Sequence, residues 1–451
     1  MLFERLKGFA VRIMARSIRK NIATRKYNIP TRFSWWLYHL IVKFFIAFRY
    51  NPHYVIKDDV RDCKGPCFII WNHLARIDHV FIEQATYPKR VNIIASYTEF
   101  FRRHLHTVFK MGDVLPKKIY TLDLVSMRAI DSIIKKGGCV AFAAEGMHSI
   151  YGTNQPIVPG TGKYLKHYGI PVCFLKLRGS YLTQTRVFNE ARKGRVDVEL
   201  SLLFTPEDLA RMTQEEINDK INEAFRYDAY AWQKQQKIKW KHKSGMCSRL
   251  SDICYRCPKC GAELEMICEP EFVKCSKCGN GFTVNDYYEM IPLDDSCVIP
   301  ESPSKWVAME REIVIREIRE DPEYSFTARG KLGDLPDTRY LRHFATTELC
   351  GEGEFTVDHS GVHYKGTRRG EPWSFDLPYT LVYSLPIMTD TSKFGFYVNG
   401  EYYEFYPDIP CTGKVLLLTE EMHRLHVNTW KNFSWFDYAY PEKAGQAPTV
   451  V

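Results

Sequence analysis

Between residues 60 and 205 the chain alternates short apolar runs with longer helical segments, and this alternation restricts the fold more than any other feature. The runs at 67–71, 91–96, 139–144, 172–177 and 196–204 have strand length and strand composition. The segments between them, at 78–86, 122–135 and 160–167, read as helices. Such alternation specifies an α/β domain with a central, largely parallel sheet. A further helix is expected over 209–225, with Thr205 as its N-cap and Pro206 at the first helical position.

At 451 residues the chain has room for two or three domains with their own cores. The division expected is a membrane-contact segment at 1–50, the α/β domain at 51–229 and a basic linker at 230–253. A cysteine-rich module follows at 254–285 and a β-rich C-terminal domain at 300–451. Five lysines (Lys234, Lys237, Lys239, Lys241 and Lys243) surround Trp232 and Trp240 in the linker, which suits either a solvated helix or a second membrane or phosphate contact. A helix or linker is expected over 300–320. In the last domain, Asn399-Gly400 between FGFYV and EYYEF is a strong hairpin signal. Its strands followed by a helix at 416–433 give an element order comparable to pleckstrin-homology-like lipid-binding modules.

Charge is concentrated at one end. Residues 1–50 hold eleven Lys/Arg, among them Arg5, Lys7, Arg12 and Arg16, against the single acid Glu4. The whole chain carries a net +9, so the remainder is close to neutral. A local excess of this kind addresses an anionic surface. The cations run into SWWLYHLIVKFFIAFRY at 34–50, which is shorter than the ~20 apolar residues of a spanning helix and is interrupted by His39 and Lys43. With Trp35, Trp36 and Tyr38 suited to a headgroup region, the segment reads as a helix lying in or dipping into a bilayer. No recognisable nucleic-acid-binding module accompanies it, so nucleic acid is the disfavoured partner.

The residues able to carry chemistry follow the first apolar run. WNHLARID places His73 and Asp78 five positions apart. On one regular helix they would point about 140° apart, so a working pair needs His73 on the turn and Asp78 in the helix after it. A histidine oriented by a carboxylate can take the proton from an alcohol attacking a thioester, and the carboxylate stabilises the imidazolium. A second block, AAEGMHS at 143–149, offers Glu145 and a glycine turn where a substrate can approach. A third, VPGTGKY at 158–164, leads to GIPVCFLKLRGS at 169–180.

Taken in order, these blocks resemble the glycerolipid acyltransferase superfamily, whose best-known members acylate lysophosphatidic acid. The resemblance covers roughly residues 50–225. It implies an acyltransferase domain with His73 as general base, Asp78 as its orienting carboxylate, and Glu145 and Gly146 at the acceptor site. The block GDVLPKK at 112–118 matches the family's basic block. Where the family carries arginines, this chain has Lys117 or Lys118 and His148, and Phe174 replaces the second proline of the last block. Arginine grips phosphate with a planar fork that Lys and His lack, while Asn72, Arg76, Lys163 and Arg178 remain candidate substrate contacts. The resemblance further implies acyl-CoA or acyl carrier protein as donor and a lysolipid such as 1-acylglycerol 3-phosphate as acceptor.

Of the fourteen cysteines, Cys63, Cys67, Cys139 and Cys173 stand singly, whereas Cys257-x2-Cys260 and Cys275-x2-Cys278 are paired knuckles, each followed by glycine. Fourteen residues separate the knuckles, which fits a structural, all-cysteine zinc ribbon. Cys254 and Cys268 fall nearby; Cys254 could compete with Cys257 as a ligand but reads better as a spectator. Unpaired thiols and a metal site favour a reducing compartment, hence the cytoplasmic face of a membrane. Two other readings use the same residues: a zinc-ribbon adaptor for lipid, protein or nucleic acid, and a thioesterase in which water replaces the alcohol.

Overall fold

The computed structural model describes residues 18–57, 60, 65–185, 187, 190–336, 339–342, 345–388, 390–427, 430 and 433. Arg5, Lys7, Arg12, Arg16 and Cys63 lie outside the described residues. Seven strands form the first sheet: β1 (Asn51–Ile56), β2 (Phe68–Trp71), β3 (Val91–Ser96), β4 (Leu115–Lys117), β5 (Cys139–Ala143), β6 (Val172–Arg178) and β7 (Arg195–Phe204). Their order is β1-β7-β6-β2-β5-β3-β4, and every neighbouring pair is parallel except β6 with β7.

The central strand β2 is buried on both faces, which is why it reads as an unbroken apolar run. Phe68 and Ile70 enter one core with Ile133, Leu165 and Ile217, while Ile69 and Trp71 enter the opposite core with Trp35, Phe81 and Leu177. Full burial of side chains of this size is worth about 1.5–3 kcal/mol each. The covering helices are α1 (Arg32–Arg49), α2 (Asp78–Thr86), α3 (Leu124–Lys135), α4 (Thr161–Tyr168) and α5 (Gln214–Phe225). The single helix expected over 209–225 is two. Thr205 caps Pro206–Arg211 in a capping box with Asp208, and Thr213 starts α5 with a second box through Glu216.

Helix α1 is two-faced. Thr31 caps it by accepting from the Ser34 N–H. Trp35, Tyr38, Val42 and Ile46 recur on one face and are buried with Phe81 of α2, so Trp35 and Tyr38 are core residues and not headgroup anchors. Phe33, Trp36, Ile41 and Phe44 remain exposed on the other side, Phe33 to 70% and Phe44 to 68%. Among the described residues no helix is long and apolar enough to cross a membrane.

The basic segment at 230–243 is clasped to the protein and is not a free linker. Trp232 and Trp240 are buried, and Trp240 Nε1 donates to Gln233 at 2.9 Å. Lys234 pairs with Glu301, and Lys239 with Asp286 at 3.3 Å.

Four short strands, β8 (Met266–Cys268), β9 (Val273–Cys275), β10 (Gly281–Val284) and β11 (Met290–Pro292), make the antiparallel cysteine-rich module. Helix α6 (Pro303–Glu320) follows, capped by Ser302 with Pro303 in its first turn. The C-terminal sheet comprises β12 (Ser325–Asp334), β13 (Glu348–Asp358), β14 (Gly361–Arg368), β15 (Glu371–Leu377), β16 (Phe394–Val398) and β17 (Glu401–Pro407). It is antiparallel throughout, in the order β15-β14-β13-β12-β17-β16, and ends in helix α7 (Thr412–Val427). Asn399 and Gly400 both take positive φ, 51° and 78°, in the tight turn pairing Val398 with Glu401.

These parts share one hydrophobic core, which includes Trp71, Val273, Trp306 and Leu332. Buried Arg311 of α6 ties them further. It pairs with Glu420 and Glu421 of α7 at 2.7 Å each and donates to the Tyr151 hydroxyl at 2.7 Å. Removing one partner of such a buried pair costs about 3–5 kcal/mol.

Candidate active site

The chain leaves β2 at Trp71, makes an irregular turn, and re-enters regular structure with Asp78 as the first residue of α2. That turn brings together what a continuous helix would hold apart. His73 Nδ1 lies 2.8 Å from Asp78 Oδ2. The same oxygen accepts the Leu74 N–H at 2.7 Å and the Ala75 N–H at 3.0 Å, and Oδ1 accepts the Ser180 hydroxyl at 2.5 Å. Asp78 is wholly buried, so these donors and the α2 N-terminus replace water around its charge. A carboxylate that only accepts fixes the His73 proton on Nδ1 and leaves the lone pair on Nε2. The His73 side chain retains 20% exposure.

Asn72 belongs to the frame beneath the dyad. Its amide donates to the Leu177 carbonyl at 2.9 Å and accepts the Leu177 N–H at 2.8 Å, bridging the ends of β2 and β6. Both amide heteroatoms are bonded and the residue is fully buried, so it braces the two strands beneath the dyad.

Glu145 follows β5 and is equally buried. It accepts the His73 N–H at 2.5 Å and the Gln155 N–H at 2.6 Å, so it anchors the backbone of the turn that carries His73. Burial pushes its carboxyl up to about 8, against the pull of those two N–H groups. Gly146 has φ +79°, and an added Cβ would stand 2.9 Å from Val158, so both conformation and space require glycine. The buried His148 ring lies edge-on to the His73 ring at 5.1 Å.

Three of the expected phosphate-binding cations hold protein partners. Lys117 donates to the Thr121 carbonyl at 3.0 Å, and burial lowers its pKa. Lys118 donates to the Gly400 carbonyl at 2.5 Å, fastening the C-terminal hairpin to the α/β domain. Arg178 pairs with Glu199 at 3.1 Å. Arg76, on the turn between His73 and Asp78, is exposed, and Lys163 is exposed on α4.

Ser180 joins the site without an expected role. Its signal was slight: a Gly-Ser pair at the carboxyl end of β6, the strand beside β2, with Gly179 at φ +80°.

The sulfur atoms of Cys257, Cys260, Cys275 and Cys278 lie within 4.8 Å of one another. Cys257 to Cys278 is 3.6 Å and Cys260 to Cys275 is 3.8 Å. Four thiolates about 2.3 Å from a tetrahedral ion stand about 3.8 Å apart, so the cluster can hold a metal ion. Gly261 and Gly279, at φ +74° and +76°, let each knuckle fold back so that its N–H reaches the first cysteine's carbonyl. Burial pushes the Cys257 thiol up to about 12, whereas the Asn280 N–H helps hold the Cys278 thiol down to about 7. Cys254 is buried outside the cluster.

Fold and site thus define an α/β domain with a His–Asp dyad at the carboxyl end of its central strand, joined to a four-cysteine module and a β-rich domain. No protein-family model and no curated protein matches the chain. A solved structure that aligns with it is the 1-acyl-sn-glycerophosphate (LPA) acyltransferase PlsC from Thermotoga maritima. That alignment has a TM-score of 0.36 and 14% identity, and covers 42% of this chain and 76% of the other.

Proposed function

We propose that the chain is a membrane-associated O-acyltransferase that moves a fatty acyl group from a thioester to a hydroxyl acceptor. The observation that carries this reading is the dyad: a partly open imidazole held at 2.8 Å by a buried carboxylate with three further donors. His73 Nε2 accepts the acceptor's hydroxyl proton as its oxygen attacks the thioester carbonyl. Asp78 stabilises the imidazolium. As the C–S bond breaks, the proton passes to the departing sulfur, leaving an ester, a free thiol and neutral His73. No protein nucleophile is required.

The motif order and its resemblance to glycerolipid acyltransferases favour acyl-CoA or acyl carrier protein as donor and a lysolipid as acceptor. The exposed apolar face of α1 supports attachment to a membrane surface, and the thiol quartet supports its cytoplasmic side. Zinc fits the quartet best, because four thiolates in tetrahedral array suit it and no open position serves a reaction. It would be structural. With Lys117, Lys118 and Arg178 engaged, Arg76 is the exposed cation nearest the dyad in the chain, so 1-acylglycerol 3-phosphate should be compared with uncharged hydroxyl acceptors.

The test is transfer of labelled acyl groups from acyl-CoA and acyl carrier protein to a lysolipid panel, with wild type beside His73→Ala. Wild type should make a new ester, and the variant should lose about 10²–10⁴-fold in rate. Release of free fatty acid alone would identify a thioesterase. Equal rates in both proteins would remove His73 as the base.

A further inference from the structure

The dyad occupies the carboxyl end of β2, while a cavity of about 470 Å³ opens at the opposite, amino end. Its lining comes from four places: the start of α1, the segment after α2, Gly65 before β2, and the Gly137-Gly138 turn between α3 and β5. Three cations line it, Arg32, Lys89 and Arg90, and no carboxylate among the described residues does. Arg90 is set in place by donating to the Pro30 carbonyl at 2.9 Å, and Lys89 Nζ lies 3.8 Å from Cys67 Sγ. A Cβ added at Gly65 or Gly137 would meet nothing within 4 Å, so bare backbone borders open space on that side.

Position adds to charge. Arg32 is the first residue of α1, and the exposed apolar face of that helix begins with the next residue, Phe33. Trp36 continues it, its ring 6.0 Å from that of Phe33. A cationic cavity therefore stands beside a strip of exposed aromatic surface, the arrangement that an amphiphile with an anionic head and apolar chains would match.

We propose that this cavity binds the phosphate of an anionic lipid headgroup, with Arg32 and Arg90 as its principal ligands and the lipid chains alongside Phe33 and Trp36. Guanidinium groups match phosphate geometry with paired N–H donors. The inference shares with the proposed function the membrane surface but not the acyl transfer.

The test is flotation of the full chain with phosphatidylcholine vesicles and with vesicles doped with phosphatidic acid. Wild type should prefer the doped vesicles. Arg32→Gln with Arg90→Gln should weaken that preference about tenfold and leave binding to neutral vesicles unchanged, whereas Phe33→Ser with Phe44→Ser should weaken both. Arg90→Lys, with unchanged melting, guards against a merely misfolded variant and should retain part of the preference. Titration with inorganic phosphate separates the sources. Arginine-dependent binding of inorganic phosphate without any vesicle preference would assign the cavity to a soluble phosphate and overturn the lipid. A preference that survives the double arginine substitution would overturn the site, as would absence of binding to any vesicle or phosphate. Failure of acyl transfer while the arginine-dependent preference stands would overturn the reaction and leave the cavity assigned.

Discussion

Ser180 Oγ lies 2.5 Å from Asp78 Oδ1, although 102 positions separate the two residues in the chain. The contact joins the end of β6 to the start of α2 and completes the set of donors around the dyad's carboxylate. In the proposed reaction Ser180 acts through Asp78 as a positioning residue.

Ser180→Ala removes that donor and frees one carboxylate oxygen to turn. A hydrogen bond to a charged group is worth about 1.5–3 kcal/mol, so kcat should fall about tenfold or more with little change in KM. Ser180→Thr, which keeps the hydroxyl, should recover part of the rate. Steady-state kinetics beside melting curves will check this, and an unaltered kcat in the alanine variant would show that the backbone donors suffice.

Cys257→Ser combined with Cys260→Ser should abolish metal binding, measured as zinc per chain after purification. Structural zinc is bound with about 10–16 kcal/mol in small modules, so the loss should unfold the ribbon. Cys257 and Cys275 sit in the same core as Trp306 and Trp71, and the melting temperature of the whole chain should therefore drop. Full zinc content in the variant would refute the quartet.

The junction of α1 with α2 should respond to pH. His39 Nδ1 lies 3.0 Å from Glu83 Oε1, and its ring stacks on Tyr87 at 3.7 Å. Burial raises the Glu83 carboxyl to about 7, so the folded state holds a proton that the unfolded chain releases above its ordinary value of 4.5. The contribution is complete below about pH 4.5 and is lost as pH rises through 7, at up to about 1.4 kcal/mol per pH unit. Burial lowers the His39 pKa and works in the opposite sense, but that group remains in Glu83→Gln. Unfolding curves should show wild type losing stability relative to Glu83→Gln between pH 4.5 and 7. Parallel curves would rule out the raised carboxyl.

What could be read from the sequence was local. β3 and α2 occupy the expected residues, because apolar runs and helical periodicity are written in consecutive positions. The Asn399-Gly400 turn and the Thr205 cap were legible for the same reason. The second capping box at Thr213 was equally local, since Thr-x-x-Glu is visible at 213–216, but the apolar periodicity running across it hid the break. β1 gave little signal, being an edge strand exposed at most positions, and β4 has only three residues, one of them proline. The spacing of Trp35, Tyr38, Val42 and Ile46 marks a buried face of α1, yet abundant aromatics around the whole helix obscured it. Contacts between distant segments had no local trace. Lys118 with Gly400 and Asn72 with Leu177 depend on tertiary placement, and each gives a structural contact to a residue expected at the substrate site.

Helix α2 starts with Asp78 at the dyad and ends one residue before Tyr87, which borders the cationic cavity. Its nine residues span about 13 Å, and a short helix packed on a sheet neither stretches nor shortens appreciably. A glycerol phosphate headgroup is too small to bridge that gap. In the proposed scheme, a lipid held in the cavity and a lipid reacting at His73 are two separate molecules, so each chain would hold one resident lipid beside the one in turnover.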